Sequence, residues 1–380
     1  MTKARIIAFY LPQFHPVPEN DKMWGKGFTE WTNVAKAKPL FKGHYQPQIP
    51  SDLGFYDLRV PEVREEQAAM AKKYGVEGFC YWHYWFGNGK RILERPFQEV
   101  LETGKPDYPF CLGWANHSWS NKTWQKTGHF TKDVTFLEQT YPGDEDYKLH
   151  FYTMLPAFKD KRYITVDNKP LFLIWDAEGL PNAKHFIEYW NDLARENGLE
   201  GFHFVARVSS MASLSFNNLA GKDEIHDRYQ KFFDLGFNGI NSDMQRYAEV
   251  KTSGITKRAV KSLIRKISGN FSPSCYDYET IIENLYCEEE KKEFVYPQII
   301  PRLDRTPRSG NDARIWVNST PKKFGIGIDK ALDIVANKSQ EHKIIFLQAW
   351  NEWGEGNYME PDMKFGREYL EILKEKLEDK

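Results

Sequence analysis

A (β/α)8 barrel with long loop insertions is the architecture this sequence predicts, and three observations lead there. Eight short apolar runs, rich in branched and aromatic residues, read as buried strands. Stretches with helical periodicity follow most of them, and strands alternating with helices imply parallel strand–helix–strand units. Polar or aromatic residues stand just past most runs, among them His15, His83, Asn116, Asp176, Arg207, Asp304 and Glu352. In such a barrel the C-terminal ends of the strands meet at one mouth, where the chemistry is done. An open doubly wound sheet is the weaker rival, because no glycine fingerprint for a dinucleotide follows the first run.

The elements follow in order. Residues 5–10 form the first strand. A loop rich in Pro, Gly, Trp and charge runs on to Leu58, and loops this long are uncommon without a purpose. Residues 60–74 form an amphipathic helix stopped by Gly75. The second strand, 76–81, runs into Trp82-His83-Tyr84-Trp85, of which two should face the barrel axis and two the helices. A helix at 91–103 precedes the third strand at 110–115. A helix at 146–158 precedes the fourth strand at 171–175, and a helix at 183–196 ends at Asn197-Gly198. Further strands are expected at 202–206, 237–241, 294–300 and 344–349, with helices at 328–337 and 367–380. A barrel needs about 250 residues. The excess in this chain of 380 falls in insertions at about 11–58, 118–145 and 208–290 of one domain spanning 1–380.

The most informative stretch is 343–362, where the eighth strand ends in Trp350-Asn351-Glu352-Trp353-Gly354-Glu355-Gly356. Folding alone does not ask for two carboxylates, two indoles and an amide at the end of a buried strand. Chemistry on a sugar does: aromatic faces stack on a pyranose ring and a carboxyl pair supplies acid and base. Glu352 and Glu355 would oppose each other on a continuing strand, but on a turn they would be neighbours at roughly 5–6 Å. Gly354 and Gly356 predict the turn. The pair is therefore expected to converge as the catalytic carboxylates.

Substrate contacts are expected from Tyr10, His15, Trp31, Trp82, His83, Trp85, Trp114, Asn116, Asp176, Arg207, Arg302, Asp304, Trp350, Asn351 and Tyr358. Several have an ordinary alternative use. Trp24, Glu30 and Trp31 could simply pack the first loop down, Trp114 could fill the barrel, and Arg302 with Asp304 could be an ion pair orienting a glutamate.

Composition excludes some functions. A hydrophobic content of 41% with 12 Trp, 20 Tyr and 26 Phe supports a large core and leaves aromatics for a ligand site. A net charge of -1 argues against a nucleic-acid partner. No apolar run is long enough to span a bilayer. The N-terminus lacks the apolar region and cleavage site of a signal peptide, so a cytoplasmic location is expected. Cys80, Cys111, Cys275 and Cys287 lack metal-ligand spacing, and Cys80 and Cys111 read as small core residues. Neither a metal nor a cofactor is expected.

The same C-terminal stretch, extended through Asn357-Tyr358 and Glu360-Pro361-Asp362, resembles the signature of the WbsX-like proteins. These are polysaccharide-biosynthesis proteins, often labelled glycosyltransferases, that are similar to glycoside hydrolase family 99. Ala8-Phe9-Tyr10-Leu11-Pro12-Gln13-Phe14-His15 and Trp24-Gly25-Lys26-Gly27-Phe28-Thr29-Glu30-Trp31 resemble the same family, and the likeness runs from residue 5 to about 370. Family 99 carries Asn-Glu-Trp-His-Glu; here Gly354 replaces the His. The resemblance implies action at an α-mannoside-like bond of a glycan or surface polysaccharide, with retention. It implies that Glu352 is the base acting on the sugar's own 2-hydroxyl, giving a 1,2-anhydro sugar, and that Glu355 is the acid. The acid role needs a raised pKa, which a carboxylate neighbour and walls such as Trp350 and Trp353 would supply.

Two other function classes stay open. A nucleotide-sugar glycosyltransferase would need a donor site, and Asp144-Glu145-Asp146 matches a metal-binding Asp-x-Asp in letters, though it reads as acidic capping of a helix. A glycan-binding protein without catalysis is the other, and the intact glutamate pair argues against it. Residues 255–267 alternate apolar and basic faces. They read either as a helix lying on anionic lipid at the inner face of a membrane, suited to a lipid-linked oligosaccharide, or as a helix docked on the barrel with a solvated basic face.

Overall fold

Eight parallel strands follow the chain in order. They are β1 Arg5–Tyr10, β2 Gly78–Trp85, β3 Phe110–Trp114, β4 Lys169–Ile174, β5 His203–Ser209, β6 Gly239–Asp243, β7 in two pieces, Val295–Tyr296 and Gln298–Ile299, and β8 Ile344–Leu347. Each pairs in parallel with the next. Arg5 of β1 lies opposite Ile344 of β8, which closes the ring. The chain is thus a (β/α)8 barrel, as its periodicity predicts. This computed structural model describes residues 3–120, 134–209, 222–253 and 272–378.

The break in β7 has a local cause. Proline has no N–H to give a ladder. At Pro297 the strand changes partner: Val295 and Tyr296 pair with β6, while Gln298 and Ile299 pair with β8. The Pro297 carbonyl still accepts from Phe346 N at 3.0 Å, so the seam stays shut.

Helices cover the strands. Ala183–Glu196 buries Phe186, Ile187, Trp190, Leu193 and Ala194, the stripe expected of a helix docked on a sheet. Its Trp190 meets Phe172 of β4 with ring centroids 5.0 Å apart. The direction of each side chain on β2 decides what reaches the mouth. All eight residues of β2 are buried, so hydrophobicity carries no alternation there. Contacts do. Trp82 stacks on Phe9 at 4.7 Å, and Phe9 on Phe346 at 5.2 Å, inside the barrel. Tyr81 packs on Phe97 of the helix Arg95–Thr103, outside it. Gly113, opposite Trp82 in register, makes the room: a Cβ there would lie 2.8 Å from the indole.

Several boundaries differ from expectation. Arg91–Ile92 pairs antiparallel with the end of β2, and the following helix starts only at Arg95, with Pro96 in its first turn. The stretch 11–58 holds two seven-residue helices, Pro18–Trp24 and Glu30–Lys36. Ser274–Asp277 and Arg314–Val317 form a small parallel sheet of their own. Residues 255–267 lie outside the described residues. Among the described residues no helix is long and apolar enough to cross a membrane.

Candidate active site

After β8 the chain forms a short antiparallel pair, Asn351–Glu352 with Asn357–Tyr358, closed by a 3-10 turn at Trp353–Glu355. Gly356 completes the turn at φ 65°, where a Cβ would press on the Asp304 backbone at 2.8 Å. The turn brings Glu352 and Glu355 onto one cation. Arg308 Nη1 donates to Glu352 Oε1 at 2.9 Å and to Glu355 Oε1 at 2.5 Å. Arg305 adds a second contact to Glu355 Oε1 at 3.0 Å. Both arginines follow β7, and Asp304 Oδ1 accepts from Thr306 N at the start of the short helix that carries Arg308.

A third carboxylate completes the cluster. Glu30 opens the helix Glu30–Lys36 and accepts at Oε1 from Arg308 Nε at 3.1 Å. Gly354 gives it access, because a Cβ there would lie only 1.8 Å from Glu30 Oε1.

The charges are unequal. Burial pushes Glu355 upward, but Arg305, Arg308 and Arg314 outweigh it and hold the carboxyl down at about 2. Burial and the charge of Glu355 raise Glu352, against the pull of Arg308. Burial raises Glu30 to about 7 despite Arg308. The resting charge therefore sits on Glu355, opposite to the raised pKa expected of it. The expected apolar walls do not decide the matter, since the charges of three guanidiniums outweigh burial.

The sequence profile described as Glycosyltransferase WbsX matches residues 6–373. The chain belongs to this WbsX family. It is 33% identical over 98% of its length to proteins named WxcX from two strains of Xanthomonas campestris pv. campestris, and it spans about half the length of those relatives. Among solved structures it resembles a glycoside hydrolase-like protein, with 15% identity, a TM-score of 0.61 and coverage of 99% of this chain and 94% of the other. It also resembles the GH99 endo-alpha-mannosidase from Bacteroides thetaiotaomicron in complex with Bis-Tris propane. There the identity is 15%, the TM-score 0.54, and the coverage 98% and 95%. At these identities the likeness is one of fold.

In this WbsX-family barrel the expected site residues divide by strand alternation. Tyr10, His83, Trp85, Trp114 and Trp350 do not reach the mouth. Tyr10 donates to Gln67 of the helix Pro61–Lys73 at 2.6 Å. His83 meets His150 of the helix Asp144–Phe158 at 2.8 Å, and burial holds His83 down at about 3. Trp85 donates to Asp146 at 3.0 Å, and Trp114 to the Trp85 carbonyl at 3.0 Å. Trp350 is fully buried against Phe79. All five side chains point into the helix layer, one position out of phase with the axis.

A second group holds loops instead of facing the mouth. Trp31 donates to the Tyr56 carbonyl at 2.8 Å, and His15 is buried. Asn116 clamps Asp176, donating to its carbonyl and accepting from its N–H, both at 2.8 Å. The Asp176 carboxylate accepts from Gly179 N at 2.9 Å and shapes its own turn. Arg302 is paired with Asp362 at 2.5 Å beneath Tyr358, whose hydroxyl donates to the same carboxylate at 2.8 Å. Asp304 is held by His44 and Gln46 at 2.8 and 2.7 Å, and its N–H donates to the Glu355 carbonyl at 2.7 Å. Arg302 and Asp304 are thus not a pair.

Asn351 joins the two ends of the barrel, accepting from Leu11 N at 2.8 Å and donating to Leu11 O at 3.0 Å. Asn351→Ala would leave both buried backbone groups unpaired. We expect a loss of about 2–4 kcal/mol in urea unfolding; a loss under ~1 kcal/mol would show that the clamp contributes little.

Trp82 and Arg207 are brought together through Trp175. Arg207 pairs with Asp243 at 2.7 Å and lies 3.7 Å over the half-buried Trp175, which meets Trp82 edge-on at 5.0 Å. Residue-by-residue reading missed Arg308, Arg305 and Trp175, and left open whether Tyr84 faces the axis. Tyr84 feels the charges of Glu352, Arg308 and Glu30, which places it beside the cluster. Its only signal is two-residue spacing from Trp82.

Proposed function

We propose that this WbsX-family chain cleaves or transfers at an α-glycosidic, mannoside-like bond within a surface polysaccharide or glycan, with retention, using Glu352 and Glu355. The supporting observation is the shared nitrogen. Because both carboxylates accept from Arg308 Nη1, their bonded oxygens cannot be further apart than the sum of 2.9 and 2.5 Å. That bound lies below the roughly 6.5–9.5 Å that leaves room for an inverting water, which supports retention. Asp144 and Asp146 supply no donor site in this reading, since they hold His185 at 2.7 Å and Trp85 at 3.0 Å around a helix start.

By resemblance, Glu352 removes the proton of the sugar's 2-hydroxyl, which attacks the anomeric carbon as the leaving oxygen departs. Glu355 protonates that oxygen and afterwards deprotonates the acceptor, water or a second sugar, as it attacks the anomeric carbon; the bond from that carbon to the 2-oxygen breaks and the 2-oxygen takes its proton back from Glu352. This assignment requires substrate to draw Arg305 or Arg308 off Glu355, so that Glu355 can hold a proton. The resting charges favour a second reading with the roles exchanged: Glu352 holds the proton and Glu355 faces the anomeric carbon.

A panel of α-linked oligosaccharides with product mass as readout tests the activity; no product from any member would overturn it. A 2-O-methyl analogue tests the route and should be cleaved at least ~10³-fold more slowly if the 2-hydroxyl is the nucleophile. Cleavage at the parent rate would point to direct attack by a carboxylate. Substrates with a leaving group that needs no proton separate the roles, because they restore turnover only to the variant lacking the acid.

A further inference from the structure

Glu30 belongs to the carboxylate cluster, yet its side chain is wholly buried and no sugar can touch it. Its Oε1 accepts from Arg308 Nε at 3.1 Å and is ion-paired with Nη2 at 2.9 Å, along one edge of the guanidinium. The remaining nitrogen, Nη1, serves Glu352 and Glu355. A guanidinium is a rigid planar fork, so fixing one edge fixes where the other points. Glu30 is held in turn by its N–H to the Gln13 carbonyl at 3.1 Å, and the bare Gly354 backbone lets its carboxylate in.

We propose that Glu30 is a positioning residue that aims Arg308 between the two glutamates, and that its charge sets how many protons the pair carries. The catalytic meaning rests on the reading of Glu352 and Glu355 given above; the geometry does not. The groups facing Glu30 are Arg308 from the segment after β7, Glu352 and Glu355 from the turn after β8, and Tyr84 from β2. Three carboxylates share Arg308, and of these Glu355 alone makes a second ion pair, with Arg305; a buried carboxylate without a cation of its own is relieved by a proton. Burial keeps Glu30 at about 7, so its charge changes near neutral pH. Its Oε2 has no hydrogen-bond partner among the described residues, as suits a carboxyl that gains and loses a proton in place.

The test follows the glutamate carboxyls by ¹³C NMR in the whole chain, in Glu30→Gln and in Glu30→Asp. The Gln amide oxygen can keep the Arg308 contacts without the charge. In Glu30→Gln a group titrating near neutrality should vanish, and the midpoint of the Glu352–Glu355 pair should fall by about one pH unit, since a negative neighbour is gone. In turnover, kcat should fall ~10-fold with KM nearly unchanged, and the limb of the pH–rate profile reporting the pair should move acidward with the NMR midpoint. Glu30→Asp keeps the charge on a shorter arm and should keep the midpoint closer to the parent than Gln does. An unmoved midpoint in folded Glu30→Gln overturns the proposal, as does a larger shift for Asp than for Gln, which would mean shape alone matters. A midpoint shift in a chain that turns over no glycan would uphold this role for Glu30 and sink the proposed activity instead.

Discussion

Glu352→Gln and Glu355→Gln should each lower turnover by at least about 10³-fold, since each removes a group that must move a proton or stabilise the anomeric centre. Their effects on stability should differ. Glu355 is held at about 2 against an ordinary 4.5, so its ionised form gains about 3 kcal/mol in the fold, an upper figure for a side chain 14% exposed. Because the folded value is depressed, this contribution is full above pH 4.5 and is lost as pH falls toward 2. Glu355→Gln should therefore lower the melting temperature at pH 7 and have little effect at the acid end of that range. Glu352→Gln removes a carboxylate whose charged form is disfavoured, and should leave stability unchanged or slightly raised. Equal stability losses for the two variants at pH 7 would contradict the unequal charges of the pair.

Arg308→Met should be the most destabilising single change at the mouth. It would leave Glu30, Glu352 and Glu355 in one pocket without the cation they share. Removing one partner of a buried ion pair costs roughly 3–5 kcal/mol, because charge is left behind. Glu30 and Glu352, which have no other ion pair here, would then take up protons with values above their unfolded ones, so stability should fall as pH rises through about 5 to 8. A urea series at pH 5 and pH 8 reads this directly, and an equal loss at both would refute the charge argument. Arg308→Lys restores the charge but not the fork, and should recover only part of the loss.

How far the sequence carried the reading depended on the kind of signal. Apolar runs and helical stripes placed all eight strands within a few residues, because burial on both faces leaves a largely apolar run. The turn at Gly354 and Gly356 and the meeting of Glu352 with Glu355 were legible because they are local. Alternation was not. In an all-buried strand such as β2, nothing in the letters says whether Trp82 and Tyr84 or His83 and Trp85 face the axis; the register against Gly113 decides. Nor could spacing reveal that Arg308 lies beside Glu30, since 278 residues separate them. The carboxylate pair was visible, and the cation that sets its charges was not.

The ring closes between the first strand and the last, with 340 residues separating Leu11 from its clamp Asn351. During synthesis at roughly 5–20 residues per second, the outer edge of β1 waits tens of seconds for β8. Throughout that time its unpaired N–H and C=O groups are a template on which another nascent chain could add a strand. The mouth is also the last part to exist, because Glu30 has no Arg308 or Gly354 to meet until the ribosome has made nearly the whole barrel.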